Sequence, residues 1–269
     1  AILYQKGSYD DSRQPLSIVG TRNITSYGKI FVQDLLEEIK TKHIISVSGL
    51  ALGIDTEVHE VSLQKNIPTA AVLAHGFHTL YPSKNRRLSE RILEENGVLF
   101  TEFNSSQKPD RENFIQRNRV IAGLSRATIV VETAFGGGSV STATFANNYN
   151  REVYALPGKI TDKYSQGCNQ LIFQNKAASI STVSSLTEQL GFHKESAKTG
   201  ELFPSSEIKI QLPEIQQILL NALDKNTPLS LDEISVKLQM PSYKILPDLL
   251  QLEISGYIKA LSGRQYLAN

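Results

Sequence analysis

Three segments, 16–22 (LSIVGTR), 44–49 (IISVSG) and 128–139 (TIVVETAFGGGS), decide the fold of this chain. Each is a short run of apolar, mostly β-branched residues that passes directly into a glycine-containing turn, which is the pattern of a strand followed by a tight loop. The TIVV run is apolar on both of its faces. Because only a strand that is covered on both sides is apolar at every position, this run predicts a buried strand of a parallel sheet.

The same pattern recurs along the first two-thirds of the chain and alternates with helical segments. Within 27–40, Phe31, Leu35 and Ile39 recur at helical spacing and form one apolar stripe. Alternating strands and helices over this length predict an α/β fold, in which a doubly wound parallel sheet carries helices on both faces. The predicted strands are 16–19, 44–47, 69–73, 98–101, 128–131 and 153–156.

A smaller unit follows a polar segment that has no periodicity. Helical patterns flank the capping box Ser230-Leu-Asp-Glu233, and the final residues alternate around Ser262-Gly263 as in a hairpin. Three helices and a hairpin are typical of a winged helix. We therefore expect an α/β domain at 1–195, a linker at 196–212 and a winged-helix domain at 213–269.

Composition limits the class of protein. The chain has 269 residues and a net charge of +1, and no segment of it is strongly basic, so any nucleic-acid site has to be a local pocket. The single cysteine, Cys168, cannot form an internal disulfide, which favours a reducing cytoplasm. No apolar run approaches the roughly 18 residues of a membrane span, and the first residues do not resemble a signal peptide, so we expect no membrane association.

Ligands of a doubly wound sheet bind beyond the carboxyl ends of its strands. Three of these ends carry glycines with small hydroxyl residues: Gly20-Thr21-Arg22, Ser48-Gly49 and Gly137-Gly138-Ser139. Glycine lets the backbone approach a phosphate, a helix start adds free N–H groups, and the guanidinium of Arg22 matches phosphate oxygens. Tight turns are the alternative explanation for any one of these loops. Neither the dinucleotide fingerprint nor the P-loop is present, so we expect no dinucleotide, no nucleoside triphosphate and no other cofactor.

A helical segment at 111–124 combines arginines with an aromatic residue and an amide. Phe114 and Asn118 share one face of this helix with Ile121, and Arg117 lies beside them. Together they suit a nucleotide polymer, because they offer charge for phosphate, a ring for stacking and an amide for a base edge. Arg119 lies about 200° from Arg117 around the helix, so the two arginines have different roles. A surface helix in which Arg119 pairs with a carboxylate is the alternative.

At this point the chain resembles the DprA family, also called Smf, of DNA-processing proteins of natural transformation. The resemblance covers nearly all of 1–195, extends to the winged helix, and rests on several motifs in order. The motifs are Gly20-Thr21-Arg22 with Ser26-x-Gly28, Ser48-Gly49-x-Ala51-x-Gly53-Ile54-Asp55 with His59, Tyr81-Pro82, Arg117-Asn118-Arg119-x-Ile121-Ala122-Gly123-Leu124-Ser125, and Pro157-Gly158.

The resemblance implies an extended Rossmann fold that binds single-stranded DNA and forms a homodimer. Such proteins protect incoming strands and load the recombinase RecA. It also implies that Arg22 and the Ser48-Gly49 turn hold phosphates and that Gly137, Gly138 and Ser139 close the pocket. Arg111 and Phe114 occupy the places of a basic residue and a base-contacting aromatic residue, and Lys84 lies near a further basic DNA contact. Two departures are the Gly137-Gly138-Ser139 loop, where the family has Ser-Gly-Ser, and Asn150-Arg151, where Gly-Arg is common.

Two other classes of function are weighed against this one. Related phosphoribohydrolases follow a Gly-Gly loop with a helix-borne glutamate, whereas the segment after Gly138 has no acid, and Glu132 and Asp55 form no evident acid–base pair. Asp55 and His59, one helical turn apart, are interpreted as a helix start rather than a catalytic or metal pair. His75 and His78 lack partners at metal-ligand spacing, so we expect no metal site. Because no acid–base pair is evident, we also expect no enzymatic activity. A winged-helix transcription regulator is disfavoured because 213–269 is slightly acidic.

Overall fold

The structure, a computed structural model, describes residues 2–191, 213–224, 228–261 and 265–268. It divides into two units, Ala1–Lys194 and Glu195–Asn269. The predicted linker at 196–212 lies outside the described residues, so the predicted domain boundaries stay a prediction. Among the described residues, no helix is both long and apolar enough to cross a bilayer.

Eight strands form the sheet of the first unit. They are β1 (Tyr4–Gly7), β2 (Gln14–Val19), β3 (Ile44–Ser48), β4 (Thr69–Leu73), β5 (Val98–Thr101), β6 (Ala127–Val130), β7 (Glu152–Ala155) and β8 (Ala178–Ser179). Their order across the sheet is β1-β5-β4-β3-β2-β6-β7-β8. β1 runs antiparallel to β5, and every other neighbouring pair is parallel. The predicted α/β class with a mostly parallel sheet is therefore confirmed.

Helices cover both faces of this sheet. They are α1 (Ser26–Ile39), α2 (Ile54–Gln64), α3 (Arg86–Glu94), α4 (Arg111–Leu124), α5 (Gly138–Asn148), α6 (Gln166–Phe173) and α7 (Val183–Gln189). α1, α2, α3 and α7 pack on one face, where Leu16 and Ile18 of β2 point. α4, α5 and α6 pack on the other face against Val19 and its neighbours. Alternate strand residues thus enter two separate apolar layers, as pleating requires.

The six predicted strands agree with β2 to β7 to within a residue or two at each end. β1 was missed because all four of its residues are exposed and it is an antiparallel edge strand, so it carries no pattern of buried residues. β8 was missed because both of its residues are exposed, so it carries no pattern of buried residues either. Prediction from apolar patterns therefore finds the covered strands and overlooks the uncovered edges.

The strand order reverses beside β2. From β2 the chain builds outward through β3, β4 and β5, then crosses back through α4 to place β6 on the other side of β2. Loops that leave adjacent strands in opposite directions open a crevice at their carboxyl ends. The fold therefore places one crevice beyond β2 and β6.

The second unit is a small winged-helix domain. Its elements are α8 (Glu214–Ala222), β9 (Leu229–Ser230), α9 (Leu231–Leu238), α10 (Ser242–Ile254), β10 (Ile258–Leu261) and β11 (Gln265–Ala268). The predicted capping box is present, since Ser230 accepts from the Glu233 N–H and Glu233 accepts from the Ser230 N–H. β11 pairs with both β10 and β9, and a core that includes Leu219, Ile234 and Leu249 joins the three helices. α10 continues through Pro247.

Candidate nucleic-acid interface

A cavity of about 850 Å³ opens beyond β2 and β6, at the crevice that the strand order creates. Its walls are the loops that follow β2 and β3, the first half of α4, and the glycine-rich loop that leads into α5. The structure therefore brings together segments that are more than a hundred residues apart in the sequence. The predicted site residues that line it are Gly20, Thr21, Arg22, Arg111, Phe114, Arg117, Asn118, Gly137, Gly138 and Ser139.

Backbone hydrogen bonds fix the loop after β2. The Thr21 N–H donates to the Glu132 carbonyl at 2.6 Å, and the Thr21 carbonyl accepts from the Ile54 N–H at 3.1 Å. Gly20 fits between these two segments only because it has no side chain, since a Cβ there would lie 2.5 Å from the Ile54 side chain. The loop thereby holds the exposed Arg22 at the cavity.

The opposite wall is the start of α5. Gly137 is the N-cap and provides no side-chain hydrogen bond, so the first N–H groups of the helix lack a capping side chain. A Cβ on Gly138 would meet no atom within 4 Å. The buried hydroxyl of Ser139 has no hydrogen-bond partner among the described residues. This wall therefore offers unused donors beside open space, which is the arrangement that suits an anion.

Phe114 lies in the middle of a cationic and aromatic cluster. The Arg22 guanidinium carbon lies 5.2 Å from its ring centroid, and that of Arg117 lies 5.7 Å away. Tyr81 packs edge-on against the same ring with centroids 5.7 Å apart. Arg111, at the first position of α4, is exposed and lines the cavity. The cluster thus combines a partly exposed ring with positive charge.

Arg117 has a different position from Arg22, because it is only 5% exposed. Its Nη1 donates to the carbonyl of Gly49 at 2.6 Å and to that of Val72 at 2.5 Å, which ties α4 to the ends of β3 and β4. Burial lowers the pKa of Arg117 to about 10, and the nearby Asp55 carboxylate acts in the opposite direction. Arg117 therefore forms part of the cavity's supporting structure.

Ser48 and Gly49 do not line the main cavity, although the sequence predicted them as phosphate ligands. The Ser48 hydroxyl is buried and donates to the Ile18 carbonyl at 2.7 Å. The Gly49 N–H donates to Asp55 Oδ2 at 3.2 Å. Gly49 lines a side cavity of about 30 Å³ that shares Arg22 and Arg117 with the main one. The polar groups of this turn are thus used within the protein.

Asn118 links the two walls. Its amide donates to the Gly138 carbonyl at 3.2 Å and to the Ser141 hydroxyl at 2.8 Å, and its oxygen accepts from Arg117 Nε at 3.2 Å. These bonds hold the start of α5 against α4. Asn118 therefore positions the glycine-rich loop in addition to lining the cavity.

Two charged residues lie away from the cavity. Lys84 is exposed on a 3-10 turn, Ser83–Asn85, and does not line it. Arg119 pairs with Glu102 at 2.5 Å, as the alternative interpretation of this helix expected. The roles of Arg117 and Arg119 are therefore different, in agreement with their positions around the helix.

Sequence reasoning did not single out several residues that line the cavity. Tyr81 enters the sequence prediction only through the Tyr81-Pro82 motif, and Ile115, Pro109 and Thr133 are not among the predicted site residues. Ile115 is half exposed and lies next to Phe114, so an apolar residue at an otherwise polar helix position was the available signal. Thr133 lies in the loop that follows the predicted strand 128–131, but nothing in its residue type indicates that it faces the cavity.

The acidic groups near the cavity are occupied by capping. Glu132 accepts from the Thr25 N–H at 3.0 Å and from the Thr25 hydroxyl at 2.5 Å. Asp55 accepts from the N–H groups of Gly49 and Ala51, as the helix-start interpretation expected. Burial raises the pKa of Asp55, and Arg117 partly offsets this effect.

His59, on α2, is fully buried. Its Nδ1 shares a hydrogen bond of 2.7 Å with the Thr69 hydroxyl, and burial lowers its pKa to about 3. The imidazole is therefore neutral at physiological pH and is held by a strand residue.

Family models match both parts of the chain. The model for DNA recombination-mediator protein A matches residues 1–191, and the model for the DprA winged helix domain matches residues 204–264. Protein Smf of Escherichia coli (strain K12) is 35% identical over 92% of this chain and 66% of its own length. A putative DNA processing protein DprA of Mycobacterium tuberculosis is 34% identical over 92% of this chain and 63% of its own length. The chain thus spans slightly less than two thirds of these two relatives.

Two solved structures of DNA processing proteins are also similar to this chain. DNA processing protein A from Streptococcus pneumoniae superposes with a TM-score of 0.65 at 33% identity, covering 70% of this chain and 65% of that one. DNA processing protein A from Helicobacter pylori, whose structure gives insight into its unique single-stranded DNA binding mode, superposes with a TM-score of 0.64 at 27% identity. That match covers 71% of this chain and 86% of the other. The resemblance drawn from the motifs is therefore confirmed, and the chain belongs to the DNA recombination-mediator protein A (DprA) family.

Proposed function

We propose that this chain binds single-stranded DNA, without sequence preference, in the cavity beyond β2 and β6. The observation that carries the proposal is the convergence of an exposed arginine, an uncapped helix start and a partly exposed aromatic ring on one open cavity. Cations for phosphates and a ring for bases are what sequence-independent recognition of a single strand requires. The single-stranded DNA binding mode of the related H. pylori protein supports the same substrate class.

The positions of the predicted residues support different roles for them in DNA binding. Arg22 and Arg111 are exposed and neutralise phosphates, and Phe114 stacks on a base. The backbone N–H groups from Gly138 onward receive a further phosphate oxygen. Arg117, Asn118 and the Ser48-Gly49 turn hold these groups in place, and Lys84 lies outside the cavity.

A binding role fits the acidic groups better than catalysis does. A general acid or base needs a carboxyl group that is free to exchange a proton with substrate. Glu132 caps α1 through Thr25, and Asp55 is buried with its oxygen on the backbone of the loop after β3. We therefore propose a protein without enzymatic activity; release of free base from a nucleotide would contradict this.

The winged-helix domain is proposed to contact protein rather than duplex DNA. α10 occupies the position of a recognition helix, and a helix that reads the major groove presents basic or amide side chains. The exposed apolar residues at helical spacing on α10 are Tyr243, Leu246 and Leu250, whereas Lys244 and Gln251 are its only exposed basic and amide residues among those described. An apolar surface of this kind is typical of a protein contact.

Homodimer formation, protection of incoming DNA and the loading of RecA during natural transformation and recombination are proposed from the family resemblance. One cavity holds only a few nucleotides. Two linked cavities in a homodimer would raise the affinity for one strand, because the second binding event becomes intramolecular.

The test is a fluorescence-anisotropy titration of the full chain with single-stranded and duplex DNA at two salt concentrations. We expect preference for the single strand and equal affinities for unrelated sequences. Arg22→Ala should weaken binding to every sequence and lower the slope of log K against log salt by about 0.7, the value for one phosphate contact on a single strand. Arg126→Ala, at the amino-terminal end of β6, is the matched control. Preference for duplex DNA, or an unchanged affinity for Arg22→Ala, would overturn the proposal.

A further inference from the structure

The loop between β7 and α6 lies at the same edge of the sheet as the cavity. Residues 156–165 leave the carboxyl end of β7, and the Tyr164 carbonyl accepts from the N–H of Thr133, which lines the cavity, at 2.6 Å. The Thr133 carbonyl accepts in turn from the Gly167 N–H at 2.9 Å. This loop, called here the β7 loop, is therefore joined directly to the glycine-rich wall.

Side-chain hydrogen bonds fix the base of the β7 loop. The Tyr27 hydroxyl donates to the Pro157 carbonyl at 2.9 Å. Asn169 bonds both backbone groups of Gly158, accepting from its N–H at 3.1 Å and donating to its carbonyl at 2.9 Å. A Cβ at Gly158 would lie 2.1 Å from the Ser165 hydroxyl, so the packing there is close. A loop held in this way presents its outer residues in a defined place.

Those outer residues include two lysines and an isoleucine, with the exposed Asp162 between Ile160 and Lys163. Ile160 is 84% exposed and lies between Lys159 and Lys163, neither of which forms an ion pair among the described residues. Lys163 lies over the Tyr164 ring, with its Nζ 5.7 Å from the centroid. Phe135 lies two residues after Thr133 in the glycine-rich wall, is 70% exposed, and is flanked in sequence by the cavity residues Ala134 and Gly136.

An exposed isoleucine alone needs no explanation, because single apolar residues are common on protein surfaces. Here two strongly exposed apolar side chains, and two lysines without an ion pair among the described residues, lie on two segments that the Thr133–Tyr164 hydrogen bond joins beside the cavity. Aromatic rings for the bases and cations for the phosphates are the means by which proteins hold successive nucleotides of a single strand, and Phe135 and the two lysines are residues of these types.

We infer that the β7 loop and Phe135 form a second DNA subsite, which holds the nucleotides that leave the cavity over the glycine-rich loop. Lys159 and Lys163 neutralise the phosphates, while Phe135 and Ile160 contact bases. This inference rests on the proposed function of the cavity. In this arrangement the bound strand runs from Arg22 and Phe114, across the glycine-rich wall, toward α6.

The experiment compares short and long oligothymidylates, about 5 and about 20 nucleotides, on the full chain. Lys159→Gln/Lys163→Gln should bind the short oligomer as the unaltered chain does and should lose affinity only for the long one. With two phosphate contacts removed, the salt slope for the long oligomer should fall by about 1.4. Phe135→Ala should lower the affinity for the long oligomer about tenfold, as the loss of one stacked base does.

The matched control is Arg126→Gln/Lys176→Gln, which removes the same charge at the amino-terminal edge of the sheet and should bind both oligomers normally. If the Lys159/Lys163 variant binds both lengths as the unaltered chain does, the second subsite is refuted and the cavity is not. If the unaltered chain binds neither length, the proposed function itself fails, and the inference fails with it.

Discussion

Replacing Arg117 by alanine tests whether this arginine supports the cavity or contacts DNA. The guanidinium is 5% exposed, donates to the carbonyls of Gly49 and Val72, and lies near the buried Asp55 carboxylate. Removing the guanidinium also takes away the positive charge that partly offsets the burial of the Asp55 carboxyl group. Each carbonyl that loses its donor adds about 1–3 kcal/mol if it remains unsatisfied, although these costs are not additive.

We therefore expect Arg117→Ala to lower the free energy of unfolding by about 3 kcal/mol, a large part of the roughly 5–15 kcal/mol typical of a domain. Arg22→Ala and Arg111→Ala remove exposed charges and should stay within about 0.5 kcal/mol of the unaltered chain. Urea unfolding followed by far-UV circular dichroism measures all three. DNA titration under conditions where each variant is folded then separates stability from binding.

Two results would contradict the assignment of Arg117 to the supporting structure and of Arg22 to a phosphate contact. If Arg117→Ala unfolds at the same urea concentration as the unaltered chain and yet no longer binds single-stranded DNA, Arg117 is a DNA ligand and the assignment from burial is wrong. If Arg22→Ala is strongly destabilised, its lost binding could not be attributed to a phosphate contact.

Three further predictions follow from the same structure. Phe114→Ala should weaken single-strand binding by about 1–3 kcal/mol in a DNA titration, the worth of one stacked base, whereas Phe114→Tyr should bind normally. Gly138→Ala should unfold at the same urea midpoint as the unaltered chain, because the added Cβ meets no atom within 4 Å. The variant should bind DNA at least about fivefold more weakly, because the methyl group fills space beside the proposed phosphate. Unchanged binding would show that the start of α5 is not part of the DNA site. Burial lowers the pKa of His59 to about 3, so below pH 6.5 the unfolded chain takes up a proton that the folded chain does not. This histidine should therefore reduce stability by about 1.4 kcal/mol per pH unit as the pH falls from about 6 to about 3, and urea titrations at several pH values should give a shallower dependence for His59→Gln than for the unaltered chain.

Much of the architecture could be predicted because the relevant patterns are local. The TIVV run is apolar on both faces because it lies in the middle of a covered sheet, and the periodicity of 111–124 matches α4 at both ends. Glycines after β2 and β6 could be placed at one edge, because parallel strands share the direction in which they end. The edge strand β1 lacked such a pattern, since no layer covers it.

The roles of individual side chains were less predictable. Ser48, Gly49 and Arg117 have the residue types of a phosphate site, and their motifs gave no means of separating them from Arg22. The difference depends on burial, and burial depends on which distant segments pack above a residue. Arg117 bonds the carbonyls of Gly49 and Val72, which are 68 and 45 residues away in the sequence.

The sequence by itself determined the α/β class, the winged helix, the family and the edge of the sheet where the glycine loops meet. Periodicity, turn residues and motif order are local properties of the chain, so they can be read without coordinates. Only the tertiary structure decided which arginines face the cavity, that Asn118 joins its two walls, and that the β7 loop is bonded beside it. These contacts join residues that are remote in the chain, and their geometry is fixed only when the sheet and its two layers of helices pack together.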